Sequence, residues 1–246
     1  MKAKIYAHRG ASGYAPENTL EAFELAVEQG AEGVELDVHL TRDRQIIVTH
    51  DERIDRVSTG IGLVSMLTVK EIKKHLFNKP HPQYMEAKAP LLEEVLELLK
   101  PTGLHINIEL KNSILPYKGM EAACLEMVAK YGMEKRVLYS SFNHHSMLKL
   151  KQMDKTAACG LLYDCCLLKP ADYLRAAGMD ALHPNFSDVL MNPEGYTEAM
   201  QQNGAVNVWT VNDERDMRLV MEAGVDLFIT NYPDRAVALR ESMSFT

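Results

Sequence analysis

The amino-acid sequence repeats one pattern along its length: a short apolar, strand-like run is followed by a segment with helical periodicity. Strands that alternate with helices form parallel sheets through right-handed crossovers. If a short hairpin return after the second strand is set aside, the main strands are predicted at 4–7, 33–39, 105–110, 137–142, 159–163, 181–183, 206–211 and 226–230. No glycine-rich dinucleotide-binding motif follows the first strand, which disfavours an open doubly wound sheet. The sequence therefore predicts an α/β fold, a closed (β/α)8 TIM barrel.

The second predicted strand carries two carboxylates in an otherwise apolar run. Glu35 and Asp37 are two residues apart, so they face the same side of a strand. Two neighbouring buried anions are costly unless a cation lies between them, which favours a divalent metal site. An edge strand with one face in water is the alternative. Residues 41–44 are too few for a parallel crossover, so the following run must return as a hairpin that brings His50 roughly level with Leu36 and Asp37.

The composition is that of a soluble globular protein. The 246 residues are 46% hydrophobic and 25% charged, and one barrel of about 250 residues is normal, so a single domain over 1–246 is predicted. The formal net charge of −7 and the lack of a basic block argue against nucleic acid and against stable membrane association. No transmembrane run or secretory signal is seen, and the four cysteines lack metal-binding spacing. We expect a cytoplasmic protein with reduced thiols in or near its core, at Cys124, Cys159, Cys165 and Cys166.

One segment interrupts the alternation. Residues 52–90 contain three prolines and a short predicted helix at about 69–76, and they exceed an ordinary barrel loop in length. The segment leaves the barrel at the end where active sites of this fold lie. We expect either a small cap over the site or a structural insertion without substrate contacts, and the sequence leaves both open.

Chemically active side chains gather at the carboxyl ends of the predicted strands, where functional groups of such barrels lie. Three carboxylates on neighbouring strands suit Mg²⁺ or Ca²⁺, whereas zinc would favour more histidine or cysteine. Two cationic side chains near them favour a phosphoryl ligand, and two histidines could divide the roles of general acid and general base. These strand ends supply His8, Arg9, Glu35, Asp37, His50, Glu109, Lys111, Phe142, His183 and Trp209.

Five short motifs occur in a fixed order: His8-Arg9-Gly10, Pro16-Glu17-Asn18-Thr19, Glu35-Leu36-Asp37-Val38, His50-Asp51 and Glu109-Leu110-Lys111. With them, the chain resembles the glycerophosphodiester phosphodiesterase family over essentially its whole length. The similarity includes the insertion and the later segments Ser140-Ser141-Phe142 and Trp209-Thr210-Val211-Asn212. The family's threonine-rich run in the insertion is here Val57-Ser58-Thr59.

The resemblance implies a metal-dependent TIM-barrel hydrolase of lipid and glycerol metabolism. Its substrates would be glycerophosphodiesters such as glycerophosphocholine and glycerophosphoethanolamine, cleaved to sn-glycerol 3-phosphate and an alcohol. By resemblance, Glu35, Asp37 and Glu109 bind the metal. The acid–base pair is His8 and His50, and the phosphate contacts are Arg9 and Lys111. The nucleophile, water or the glycerol 2-hydroxyl, stays open, as do the acid–base order and the oligomeric state.

For several other residues the sequence gives a local or a site role. Glu17 either stabilises a helix start or acts in the site, by orienting a histidine or contacting substrate, and the resemblance favours the site. Phe142 and Trp209 either pack on the glycerol carbons or belong to the core. His183 could line the site. We expect helix capping from Asn18 and Thr19, a solvated side chain at His39, and surface positions for His144 and His145.

Two alternative functions remain open from the sequence. A lipid-directed phospholipase D, of the lysophospholipase or sphingomyelinase type, would share the barrel and the metal. It would need an exposed apolar rim, for which 63–67 is the one weak candidate. A non-catalytic phosphate-binding barrel is the other alternative, because a fold alone does not establish activity.

Overall fold

The computed structural model describes residues 2–243. Their regular elements, in chain order, are β1 (Lys4–His8), α1 (Leu20–Glu28), β2 (Gly33–Leu40), β3 (Ile46–Val48), α2 (Val69–Ile72), α3 (Leu92–Leu99), β4 (His105–Leu110), α4 (Met120–Tyr131), β5 (Val137–Ser141), α5 (His144–Met153), β6 (Ala158–Tyr163), α6 (Pro170–Ala177), β7 (Ala181–Pro184), α7 (Phe186–Met191), α8 (Pro193–Gln201), β8 (Ala205–Val208), α9 (Glu214–Glu222), β9 (Leu227–Thr230) and α10 (Pro233–Ser242). Within these residues, no helix has both the length and the apolar character to cross a membrane.

The strands close into a barrel. Going round the sheet, the parallel strands follow the order β1, β9, β8, β7, β6, β5, β4 and β2, and β2 pairs again with β1. The helices between the strands pack on the outside, where two apolar clusters surround the barrel, one centred on β2 and β4–β6 and one on β7–β9. The predicted (β/α)8 barrel is confirmed.

The hairpin after β2 stands beyond the closed part of the barrel. β3 pairs antiparallel with the end of β2, with Val38 opposite Val48, and the Thr49 amide donates to the carbonyl of Asp37 at 3.0 Å. Continuing this register brings His50 opposite Leu36. The predicted level of His50 is therefore correct, and the carboxylates of β2 belong to a buried central strand rather than to a solvated edge.

The barrel interior contains a neutral polar layer below the carboxyl ends of the strands. His183 on β7 is fully buried there, and its Nε2 lies 2.9 Å from the Nδ2 of Asn207 on β8. The ring fills the space left by Gly160 on β6, where an added Cβ would lie 2.3 Å from His183 Nε2. Burial lowers the pKa of His183 to about 3, so this side chain is neutral.

The insertion at 52–90 has an apolar core of its own, which rests on β3. Only the single helical turn α2 and a 3-10 helix at Val64–Met66 are regular, so the helix predicted at 69–76 is shorter than expected. Within the segment 63–67, Val64 is fully buried and Leu63 and Leu67 are partly buried, whereas Met66 is 63% exposed, so the segment offers one exposed apolar side chain rather than a continuous rim. The core consists of Ile47, Ile54, Val57, Val64, Ile72, Phe77 and Ala89.

Two local expectations are wrong. Thr19 alone caps α1, since its side chain accepts the Ala22 amide at 3.3 Å, whereas Asn18 has a left-handed backbone with φ 58° and points elsewhere. Cys124 and Cys159 are buried as expected, but Cys165 and Cys166 are exposed in the loop after β6. Adjacent cysteines in a polar loop carry no periodicity from which burial could be predicted.

Candidate active site

Three carboxylates meet at the carboxyl end of the barrel. Glu35 and Asp37 alternate with apolar residues on β2, and Asp37 lies opposite Glu109 in the register of β2 with β4. All three are buried, and one oxygen from each lies within 4.8 Å of the others. The strand geometry, rather than a flexible loop, thus brings the predicted metal ligands together.

Burial and mutual repulsion oppose full ionisation of these three carboxylates. Burial, and then the charges of Asp37 and Glu109, raise the pKa of Glu35, and burial with the charge of Asp37 raises the pKa of Glu109 to about 7. Burial opposes ionisation of Asp37 as well, but the cationic Arg9 and other positive neighbours lower its pKa below the ordinary value. The buried Asp37 Oδ1 has no hydrogen-bond partner. Clustered hard oxygen donors with an unpartnered atom fit a divalent cation such as Mg²⁺ or Ca²⁺.

Asn18 holds the other side of the Asp37 carboxylate. Its Nδ2 donates to Asp37 Oδ2 at 2.8 Å, and its Oδ1 accepts the Asp37 amide at 3.3 Å. Arg9 Nε lies 3.3 Å from the same Oδ2. Asn18 is therefore part of the site, and a cap-forming residue type next to a helix start concealed this from sequence reasoning.

His8 is fixed by a neutral partner. Its Nδ1 lies 2.7 Å from Asn231 Oδ1, so Nδ1 carries the proton and donates, and Nε2 keeps its lone pair. That Nε2 lies 4.0 Å from Glu35 Oε2. Burial, and then the charge of Arg9, lower the pKa of His8 to about 4. Asn231 was not predicted, although it is the first residue after β9 and the strand-end rule would have found it.

His50 is fixed by a charged partner. Its Nδ1 lies 2.6 Å from Asp51 Oδ1, and its Nε2 lies 3.2 Å from Lys111 Nζ. Burial disfavours ionised Asp51, yet hydrogen bonds from Arg56 and His50 lower its pKa to about 2. The His50 carbonyl also lies 3.0 Å from Nε2 of His39.

His39 differs from its predicted solvated state. It is fully buried, with Nδ1 3.0 Å from the hydroxyl of Tyr117, so it supports the hairpin from inside. His183 lies in the layer beneath the site, and the ring nitrogens of His144 lie near the Tyr173 hydroxyl and the Leu162 carbonyl. None of these three histidines lines the cavity described below.

Two cations face the carboxylate cluster. Lys111 Nζ lies 2.8 Å from Glu109 Oε1 and 3.8 Å from Asp37 Oδ1. Arg9 Nη1 donates to Glu17 Oε1 at 2.8 Å, and its backbone amide donates to Glu35 Oε2 at 3.0 Å. Glu17 therefore contacts the site through Arg9, and its carboxylate is also held by Arg56.

These side chains surround a cavity of about 100 Å³. The Phe142 and Trp209 rings, in an edge-to-face pair with centroids 5.6 Å apart, form its apolar side. Trp209 is anchored by its Nε1, which donates to the carbonyl of His183 at 2.7 Å. The lining comprises His8, Arg9, Glu35, His50, Asn107, Glu109, Lys111, Phe142, Leu162, Trp209, Thr210 and Ile229.

Known proteins are similar to this chain in sequence and in fold. The sequence profile of the Glycerophosphoryl diester phosphodiesterase family matches residues 8–235. A glycerophosphodiester phosphodiesterase of Caldanaerobacter subterraneus is 39% identical over 241 residues, covering 97% of this chain and 98% of the relative. A Bacillus altitudinis protein of the same name is also 39% identical, covering 98% and 99%.

A solved phosphodiesterase structure has the same fold as this chain. An Oleispira antarctica phosphodiesterase in complex with the product sn-glycerol-3-phosphate has a TM-score of 0.89 and 28% identity, and the match covers 98% of each chain. The family profile and the relatives each match nearly the whole chain, including the strands that carry the carboxylates, the cations and both histidines. The chain therefore belongs to the glycerophosphoryl diester phosphodiesterase family.

Proposed function

We propose that this member of the phosphodiesterase family hydrolyses glycerophosphodiesters, such as glycerophosphocholine and glycerophosphoethanolamine, to sn-glycerol 3-phosphate and an alcohol. The observation that carries the proposal is one small cavity lined by two histidines, two cations and two of the three clustered carboxylates. The Oleispira relative, whose complex contains sn-glycerol-3-phosphate, supports the same product.

A divalent cation, Mg²⁺ or Ca²⁺, would be held by Glu35, Asp37 and Glu109. When bound, it would supply Lewis-acid polarisation of a phosphoryl oxygen and would offset charge in the transition state. Arg9 and Lys111 lie on either side of Asp37 and point cationic groups at the same cavity. Their role is to bind the remaining phosphoryl oxygens and to stabilise the charge that develops on them.

The surroundings of the histidines support a division of roles. His8 is neutral with a free Nε2 lone pair, as a general base requires, and it takes the proton of the nucleophile, which is water or the glycerol 2-hydroxyl. The Asp51 carboxylate orients the His50 ring through Nδ1, and His50 protonates the departing alkoxide. Phe142 and Trp209 would pack against the glycerol carbons.

A lysophospholipase D activity is the second candidate, supported by exposed apolar side chains that follow the carboxyl ends of three barrel strands. Leu168 is 94% exposed and Ile114 is 72% exposed, on the loops that follow β6 and β4, and Phe142 after β5 is 39% exposed. An acyl chain would find apolar contacts along these loops. The water-soluble substrates remain the first proposal because the cavity itself is small and strongly polar.

The remaining expectations also stand as proposals. The protein acts in the cytoplasm, which agrees with four cysteines that are unpaired. Its partners are small molecules, without nucleic acid or stable membrane association. The insertion acts as a cap whose Arg56 reaches Glu17 and Asp51 at the edge of the site.

One assay tests the proposal. Release of sn-glycerol 3-phosphate from glycerophosphocholine is measured in parallel with release of lysophosphatidic acid from a long-chain lysophosphatidylcholine, after metal removal and with Mg²⁺ or Ca²⁺ restored. Metal-dependent release from glycerophosphocholine is expected. Release of a lysophosphatidic acid from the lysolipid alone would favour the second candidate, and binding of either substrate without turnover would contradict both.

A further inference from the structure

Arg56 lies in the insertion and bonds two carboxylates from different parts of the chain. Its Nη1 and Nη2 donate to the two oxygens of Glu17, each at 2.8 Å. Its Nε donates to Asp51 Oδ2 at 2.7 Å, and Nη2 also donates to Asp51 Oδ1 at 3.1 Å. One guanidinium therefore joins the loop after β1 to the end of the hairpin.

Each of these carboxylates holds a side chain that faces the cavity. Glu17 accepts Arg9 Nη1 at 2.8 Å, and Asp51 Oδ1 lies 2.6 Å from His50 Nδ1. Beyond them, His50 reaches Lys111 and Arg9 reaches Asp37. Lys111 and Asp37, 3.8 Å apart, close the circuit, and Arg56 is its member from the insertion.

The exposure of the three side chains indicates that Arg56 orients its partners rather than forming an isolated surface ion pair. The Arg56 side chain is 47% exposed, while Glu17 and Asp51 are 16% and 27% exposed, so the guanidinium covers two more deeply buried carboxylates. Half-exposed ion pairs add little to folding stability. A planar guanidinium with paired hydrogen bonds does, however, fix the orientation of its partners.

We propose that Arg56 is a positioning residue, which fixes the His50 ring through Asp51 and the Arg9 guanidinium through Glu17. The insertion is then part of the catalytic apparatus although Arg56 does not line the cavity. This inference rests on the proposed function, because it is measured through the hydrolysis that His50 and Arg9 serve.

The two connections act on different kinetic constants. A mobile His50 protonates the leaving alkoxide poorly, which lowers kcat. A displaced Arg9 binds the phosphoryl group less well, which raises KM. Because the contacts need a planar group with several donors, a lysine cannot replace the arginine, whereas free guanidinium ion can enter the space left by an alanine.

The experiment compares Arg56→Ala and Arg56→Lys with Arg42→Ala as the matched control. Arg42 also ties the barrel to the insertion, through Glu71 at 3.0 Å and the Met66 carbonyl at 3.1 Å, but it lies away from the site. Thermal unfolding of each variant is measured first. kcat and KM are then measured with glycerophosphocholine and with the 4-nitrophenyl ester of glycerol 3-phosphate, whose leaving group needs no general acid.

We expect both Arg56 variants to lose about 100-fold in kcat on glycerophosphocholine, the low end of a general-acid contribution, and less than about 10-fold on the 4-nitrophenyl ester. KM should rise for both substrates. Guanidinium ion at millimolar concentration should restore part of the Arg56→Ala activity, and Arg42→Ala should stay within about twofold of the wild type. In the Asp51→Ala background, Arg56→Ala should lower kcat no further.

The inference is overturned if Arg56→Ala keeps wild-type kcat and KM, if Arg42→Ala loses as much activity, or if both substrates lose kcat equally. A folded Arg56→Lys with full activity would also overturn it. Failure of the proposed function looks different, since the wild-type protein itself would then release no sn-glycerol 3-phosphate from either diester.

Discussion

His8 and His50 face the same cavity from two differently built regions of the molecule. His8 belongs to the barrel wall, and its partner is the neutral amide of Asn231, which Ser12 Oγ also contacts at 3.1 Å. His50 belongs to the hairpin outside the closed barrel, and its partner is the ionised Asp51, itself held by Arg56. One histidine thus rests on the barrel wall, and the other on the hairpin and the insertion.

The difference in surroundings is the basis for proposing opposite proton-transfer roles for two residues of the same type. The hydrogen bond to the Asn231 amide oxygen fixes the His8 tautomer and raises its pKa, but burial and the charge of Arg9 outweigh this effect, so His8 stays unprotonated. A carboxylate fixes the tautomer and also stabilises the imidazolium. Under the proposed roles, the histidine beside the amide accepts a proton and the histidine beside the carboxylate delivers one.

Loss of the acidic cluster should abolish the activity to which both histidines contribute, because both are proposed to act on a phosphoryl group bound at this cluster. Glu35→Ala is expected to lower kcat/KM at least about 1,000-fold, or about 4 kcal/mol of transition-state stabilisation, for alkyl and 4-nitrophenyl diesters alike. Mg²⁺ binding, measured by titration calorimetry, should be lost with it. Glu93→Ala, which removes a surface pair with Lys130, is the matched control. Unchanged Mg²⁺ affinity in Glu35→Ala would exclude Glu35 as a ligand.

Replacing each histidine in turn should distinguish the role of His8 from the role of His50. His50→Ala is expected to cost about 100- to 10,000-fold in kcat on glycerophosphocholine but less than about 10-fold on the 4-nitrophenyl ester, which leaves without a proton. His8→Ala should impair both substrates, since the nucleophile must still lose its proton. Mg²⁺ affinity should persist in the His50 variant. The opposite substrate pattern would exchange the two roles.

Replacing the Nδ1 partner of each histidine should have a smaller effect on activity, and the replacement at Asn231 should shift the pH dependence in a defined direction. The His8 pKa is lowered to about 4, so the unprotonated base is present above that pH and is lost as the pH falls through it. Asn231→Asp favours the imidazolium and should move this acid limb of kcat/KM to higher pH, with about 10-fold lower activity near pH 6. Asp51→Asn should lower kcat about 10-fold without moving that limb. An unmoved limb in Asn231→Asp would contradict the assignment of His8 as base.

The smallest effect on activity is expected from Phe142, which lines the cavity that the two histidines share. The Phe142 ring, paired edge to face with Trp209, closes the apolar side of the cavity. Phe142→Ala should raise KM about fivefold, or ~1 kcal/mol of apolar contact, with kcat nearly unchanged. Leu168→Ala is the control, because this exposed side chain should matter only for an acylated substrate. A large fall in kcat for Phe142→Ala would mean that the ring orients a catalytic group.

The sequence predicted the barrel and the charged cluster because both follow from strand geometry. The apolar runs locate the strands, and two-residue spacing brings Glu35, Asp37, Glu109 and Lys111 to one side. The short helix α7 was missed, since six residues after β7 are too few for a periodic pattern. The buried state of His39 was missed as well, because its cover, Tyr117, is 78 positions away.

The partners of the histidines were harder to predict than the histidines themselves. Asp51 adjoins His50, but Arg56 lies in an irregular stretch where an arginine carries no pattern, and only the folded insertion brings it to Glu17 across 39 positions. Asn18 had a plausible local role as a helix cap, which hid its contact with Asp37. Contacts that depend on loop conformation were therefore out of reach.

The hydrogen bond between His8 and Asn231 joins residues that are 223 positions apart. During synthesis, the His8 imidazole leaves the ribosome 223 residues before its amide partner. β9 must insert beside β1 before Asn231 can reach His8. A growing chain therefore carries the three clustered carboxylates and both histidines long before the His8 ring is held in place, and the proposed site is complete only once β9 has joined the barrel.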